Sequence, residues 1–199
     1  MRQYNVAAIA MATIIGFTVN HARGQEFIAH LTGFDEIGEI PSPYTGAILS
    51  NGKAEASLDL DRNAGTIAYT LTYSNVGTTP PSTGTVTQAH IHFGKSHSSG
   101  GILVFFCSNL GNAPADTPTC PDSGSVTGTW TAASVGAIPG QNVTAGDFDA
   151  LADALLSNTA YVNIHTTALP TGELRGQVLS IKQDMLRRRL QGTEGADGP

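Results

Sequence analysis

From Phe27 to Ile181 the chain alternates short runs of apolar and polar residues with clusters of Gly, Pro, Ser and Asn. Lys53 to Asp59 alternates polar and apolar side chains, as a strand with one buried face must. Thr66 to Tyr73 repeats the pattern with Ile67, Tyr69, Leu71 and Tyr73, after the turn Arg62-Asn63-Ala64-Gly65. Phe27 to Phe34, Gln88 to Phe93, Ile102 to Cys107, Gly124 to Trp130, Tyr161 to His165 and Glu173 to Ile181 bring the predicted strands to eight. Short strands with this punctuation predict an all-β domain, an antiparallel sandwich or barrel of immunoglobulin-like or superoxide-dismutase-like type. One short helix interrupts them. Thr144 to Asp147 has the spacing of a capping box, with Asp where Glu or Gln is usual, and Phe148, Leu151, Ala152 and Leu155 recur at helical spacing. That stripe is expected to pack on the edge of the sandwich.

The pattern changes at both ends. Arg2 precedes an apolar run from Val6 to Val19, and Ala22-Arg23-Gly24 offers small residues where a signal peptidase reads. Residues 1–24 are therefore expected to be a secretory signal, cleaved before Gln25. The run falls short of the roughly 20 residues a membrane span needs, so no transmembrane segment is expected. Beyond Gln183 the sequence Leu186-Arg187-Arg188-Arg189-Leu190 gives way to Gly-rich, acidic residues, which predicts a frayed, flexible tail over 183–199. One domain, residues 25–182, lies between, long enough for a proper core.

Composition narrows the partners. Losing Arg2 and Arg23 with the signal takes the ten basic side chains to eight, against sixteen acidic ones. A chain this acidic repels phosphate backbones, which argues against nucleic acid as a partner. An extracellular protein partner or a second copy of the chain stays open. Cys107 and Cys120 are the two cysteines, and in an exported protein such a pair is expected to form a disulfide. Asn142-Val143-Thr144 is a glycosylation sequon at Asn142, meaningful in a eukaryotic host.

The candidate chemistry lies in two strands. On the strand ending at Phe93, residues Thr87, Ala89, Ile91 and Phe93 form the core face, and Gln88, His90 and His92 form the other. Residues two apart project together, about 7 Å apart along the backbone. Tyr161, Asn163 and His165 face away from the core on a later strand, and a hairpin through Thr166 to Gly172 sets Glu173 and Arg175 beside them. If both strands join one sheet, His90, His92 and His165 share a face, with Glu173, Arg175, Tyr161 and Asn163 as supporting partners. Three imidazoles on rigid elements suit zinc or copper. The same set also makes a hydrogen-bonded network without any metal. No nucleophile elbow accompanies Ser96, Ser98 and Ser99 beside His97, and Glu173 has no acidic companion for glycoside chemistry.

Ala89-His90-Ile91-His92-Phe93-Gly94, the apolar strand after it, Tyr161 to Thr166 and Gly172-Glu173-Leu174-Arg175-Gly176-Gln177 together resemble the chordin-type (CHRD) domain. The resemblance runs from about Phe27 to Ile181. It implies an exported single-domain protein; no catalytic residue is assigned, and copper or zinc is the candidate cofactor. The expected function is a non-enzymatic extracellular binding or structural module, with copper or zinc as the candidate ligand of the His-x-His strand. The alternative is a copper/zinc enzyme with superoxide-dismutase-like redox activity.

Overall fold

A computed structural model describes residues 24–37 and 46–193. The expected signal segment through Arg23 and residues 194–199 of the expected tail lie outside them. Within the described residues the chain forms β1 (Gln25–Leu31), β2 (Lys53–Asp61), β3 (Thr66–Ser74), β4 (Val86–Phe93), β5 (Ile102–Ser108) and β6 (Gly124–Trp130). These are followed by α1 (Phe148–Leu156), β7 (Ala160–Thr166), β8 (Leu174–Gln177), β9 (Leu179–Ser180) and α2 (Ile181–Thr193). One antiparallel sheet runs β6-β3-β2-β1-β9 and the second runs β5-β4-β7-β8. The fold is an all-β sandwich rather than a barrel.

Alternation explains the core. Ala56, Leu58 and Leu60 of β2 and Ile67, Tyr69, Leu71 and Tyr73 of β3 are buried, while the residues between them face solvent. Opposite them lie Ala89 and Ile91 of β4 and Val162 and Ile164 of β7. Tyr69 stacks on Trp130 at 4.3 Å between centroids, and Phe106 meets both rings edge-on. The polar ends of these aromatics are satisfied: Tyr69 donates to the Phe106 carbonyl and Trp130 to that of Phe105. Cys107 and Cys120 form the disulfide, 13 residues apart.

Three elements differ from the sequence reading. The single strand expected over Glu173 to Ile181 is two: buried Val178 carries the chain from β8 in one sheet to β9 in the other. The helix cap sits one turn later than the Thr144 spacing suggests. Asp147 is the cap, accepting from the Ala150 amide at 2.9 Å. Residues 183–193 of the expected tail are helical, and α2 is tied to β1 through buried Asp184, which lies 3.6 Å from His30 and accepts from Arg188. A polar, arginine-rich segment gives no apolar stripe to announce a helix, so its docking was invisible in the pattern.

Candidate metal centre

Sheet register brings the three histidines together. β4 and β7 pair so that Gln88 faces His165, His90 faces Asn163 and His92 faces Tyr161. All six side chains stand on the face turned away from the sandwich core. On its other side β4 pairs with β5 through two register shifts, one between Ala89 and His90 and one between Ile91 and His92. Bulges at these points turn side chains off the regular pleat. The result places the His90 ring between its neighbours, 4.5 Å from both His92 and His165. Ligand nitrogens of the three rings all lie within 4.8 Å of one another.

This face turns away from the sandwich core, yet most of it is buried. Every residue of β7 is buried, and His90 is 1 % exposed. The cover comes from the loop after β4 and the turn between β7 and β8, which rim a cavity of about 260 Å³ with Glu36 and Ile37. The loop is fastened at several points. Arg175 donates to the carbonyls of Lys95 and Ser98, and Gln141 bridges the Gly101 amide and the Phe93 carbonyl. Gly172 is required where the turn closes: its φ is +134°, and a Cβ there would meet Glu36 Oε2 at 2.3 Å.

The cover also sets the chemistry of the rings. His92 Nδ1 lies 2.7 Å from the Gly100 carbonyl, and His165 Nδ1 lies 2.9 Å from that of Pro170. A carbonyl only accepts, so both Nδ1 atoms carry the proton and both Nε2 atoms present a lone pair. Those two Nε2 atoms and both ring nitrogens of His90 are buried with no hydrogen-bond partner among the described residues. Leaving such an atom unsatisfied costs about 1–3 kcal/mol. Burial pushes the His90 pKa well below its ordinary value, helped by the neighbouring imidazoles of His92 and His165. Burial likewise lowers His92 to about 4 and His165 to about 4. All three rings are therefore neutral at physiological pH, the form that ligates metals.

Of the supporting residues, Tyr161, Asn163 and Arg175 are at the site. The Tyr161 ring stacks on His92 at 4.7 Å, and the Arg175 guanidinium lies 3.4 Å from the centroid of the same ring. Asn163 donates to Glu36 and to the Leu174 carbonyl. Glu173 is not at the site. Its carboxylate turns to the other side and accepts from Ser50, the Gly77 amide, Thr83 and Thr166 at 2.5 to 3.1 Å. Burial alone would raise its pKa, but those four donors outweigh it and hold the carboxyl below its usual range. The β7–β8 hairpin sets Arg175 opposite Asn163 as expected, but the Glu173 side chain is captured by hydroxyls that sequence does not reveal. His30 and His97 line a neighbouring polar cavity with Arg187. Asn142 is exposed, as a sequon must be.

Glu36 and Gln141 are the residues that sequence reasoning missed. Glu36 is 3 % exposed and lies 127 positions from Asn163, so no local pattern connects them. Chemically, the arrangement offers three neutral nitrogen ligands from two paired strands, two of them oriented by backbone carbonyls in the way metal-bound histidines are. A tetrahedral ion with bonds of about 2.0–2.1 Å holds its ligands roughly 3.3 Å apart, inside the 4.8 Å that bounds these nitrogens, so the rings draw together to bind one.

A two-sheet antiparallel sandwich with a roofed histidine face thus defines the molecule. Its sequence matches the model of the CHRD domain over residues 27–178, and the chain belongs to that family. No curated protein and no solved structure matches it.

Proposed function

We propose that this chain is an exported CHRD module that binds one zinc or copper ion through His90, His92 and His165, and that binding rather than catalysis is its role. The observation that carries the reading is the set of buried, neutral imidazole nitrogens without protein partners, converging within 4.8 Å. A structural hydrogen-bond network would satisfy such atoms, because an orphaned polar group in a core is destabilising. An ion takes one such nitrogen from each of the three rings at once. Export is supported by the signal-like N-terminus, by the Cys107–Cys120 disulfide and by the absence, among the described residues, of a helix long and apolar enough to cross a membrane. The acidic balance disfavours nucleic acid, leaving a protein partner or a second copy as the macromolecular candidates.

The test is metal analysis of the purified protein after dialysis against zinc or copper. The proposal expects one equivalent, lost in the His90→Ala/His92→Ala variant. A well-folded wild-type protein that retains no metal sinks it. Superoxide turnover above that of the free ion would move the loaded protein to the redox-enzyme class instead.

A further inference from the structure

β6 (Gly124–Trp130) ends its sheet, and among the described residues β3 is its one backbone partner. The other sheet edges are covered or short. β8 exchanges backbone bonds of 3.0 and 3.1 Å between Arg175 and Thr32. β5 is capped at Phe105 by the Trp130 indole and at Leu103 by the Gly136 amide, and β9 has two residues before α2 begins. A long open edge is normally guarded by charge, proline or a bulge. β6 has none of these. It holds no charged residue and no proline, and its register with β3 is unbroken from Ile67–Trp130 to Tyr73–Gly124. β3 is uncharged as well, so the outward surface here is Thr70 and Thr72 beside Ser125, Thr127 and Thr129. Moving in from this edge, charge begins at β2, with Lys53, Glu55, Asp59 and Asp61. In an acidic chain, this edge lacks the charge that would repel a second copy.

The strand also complements itself. In an antiparallel pair of two β6 strands centred on Thr127, Thr127 faces its own copy and Ser125 faces Thr129 on the outward side. Hydroxyl against hydroxyl is a favourable cross-strand pair. On the inward side Val126 faces Gly128 and Gly124 faces Trp130. Each large residue meets a glycine, so no two bulky side chains collide across the seam. Beside Thr129 and Trp130, a cleft of about 270 Å³ separates the strand from Pro114, Thr117 and Pro118 of the disulfide loop. That space gives room for the Gly124 end of the other copy.

We propose that two copies of the chain associate through β6, antiparallel and centred on Thr127, joining their five-stranded sheets into one. The interface is independent of the histidine site, which lies on the other sheet.

Analytical ultracentrifugation of the mature protein over a range of concentrations reads the association. The parent should be a concentration-dependent dimer. Thr127 is exposed, so Thr127→Lys and Thr127→Glu should keep the fold, as read by circular dichroism. Each variant sets like charges directly opposite and should weaken association at least tenfold. An equimolar mixture of the two sets Lys opposite Glu and should associate at least as tightly as the parent. A parent that stays monomeric at its highest soluble concentration overturns the inference. A dimer that Thr127→Lys leaves as tight as before also overturns it, because the interface then lies elsewhere. A mixture no tighter than the separate variants overturns the register and the symmetric pairing with it.

Discussion

Acid should destabilise the metal-free protein steeply between pH 7 and pH 5, and the three buried histidines set the size of the effect. His92 and His165 are held near a pKa of about 4, against about 6.5 in an unfolded chain. Between those values the unfolded chain binds protons that the folded protein cannot, so falling pH favours unfolding. Their burden is absent well above pH 6.5, grows through the window and levels off below about 4. Lowering the pH from 7 to 5 removes roughly 2 kcal/mol per histidine, or about 4 kcal/mol for the pair. His90 shifts in the same direction and adds to the loss. Glu173, whose pKa is depressed below the carboxylate range, keeps its charge throughout this window. Urea unfolding of chelator-treated protein measures the effect. With a slope of about 2 kcal/mol per molar urea, the midpoint should fall by about 2 M. His92→Leu should lose one histidine's share of that dependence. A midpoint that is the same at pH 5 and pH 7 would refute the claim that these rings are buried and neutral.

The other predictions concern the same face and its supports. In the metal-free protein His90→Leu should be at least as stable as the parent in urea, because it removes two buried nitrogens that have no hydrogen-bond partner among the described residues; a loss above about 1 kcal/mol would show that those atoms have partners. Glu173→Gln should cost about 3 kcal/mol by the same assay, since it puts an NH2 group among four donors; a neutral result would mean that the carboxylate does not hold the segments of Ser50, Gly77 and Thr83 together. Replacing both Cys107 and Cys120 by Ala should cost about 3 kcal/mol, from the entropy of the loop the bond closes, and unchanged thermal unfolding would contradict this.

The sandwich was legible in the sequence because its outer sheet obeys alternation: β2 and β3 bury every second residue, and Ile67, Tyr69, Leu71 and Tyr73 read directly as a core face. The grouping of His90, His92 and His165 was legible for the same reason, period-two geometry in two strands of one sheet. What alternation cannot encode is a second buried face. β7 has polar residues at alternate positions and yet is buried throughout, because the loop after β4 and the β7–β8 turn cover it. Those covers are pinned by Arg175 and Gln141, bonds between residues tens of positions apart. Glu36 belongs to the site through Asn163, and Glu173 leaves it for Ser50, Thr83 and Thr166, by contacts of the same long-range kind. The bulges beside His90 and His92 likewise belong to the pairing of β4 with β5 and leave no mark in the histidine segment alone.

Isothermal titration of the chelator-treated mature protein with zinc, beside a His165→Ala variant, addresses the three-histidine centre most directly. The variant leaves the His-x-His strand intact and removes only the ligand contributed by β7. The account predicts one equivalent bound by the parent and at least a hundredfold weaker binding by the variant. Equal affinity in the two proteins, or no heat of binding in the parent, would contradict it.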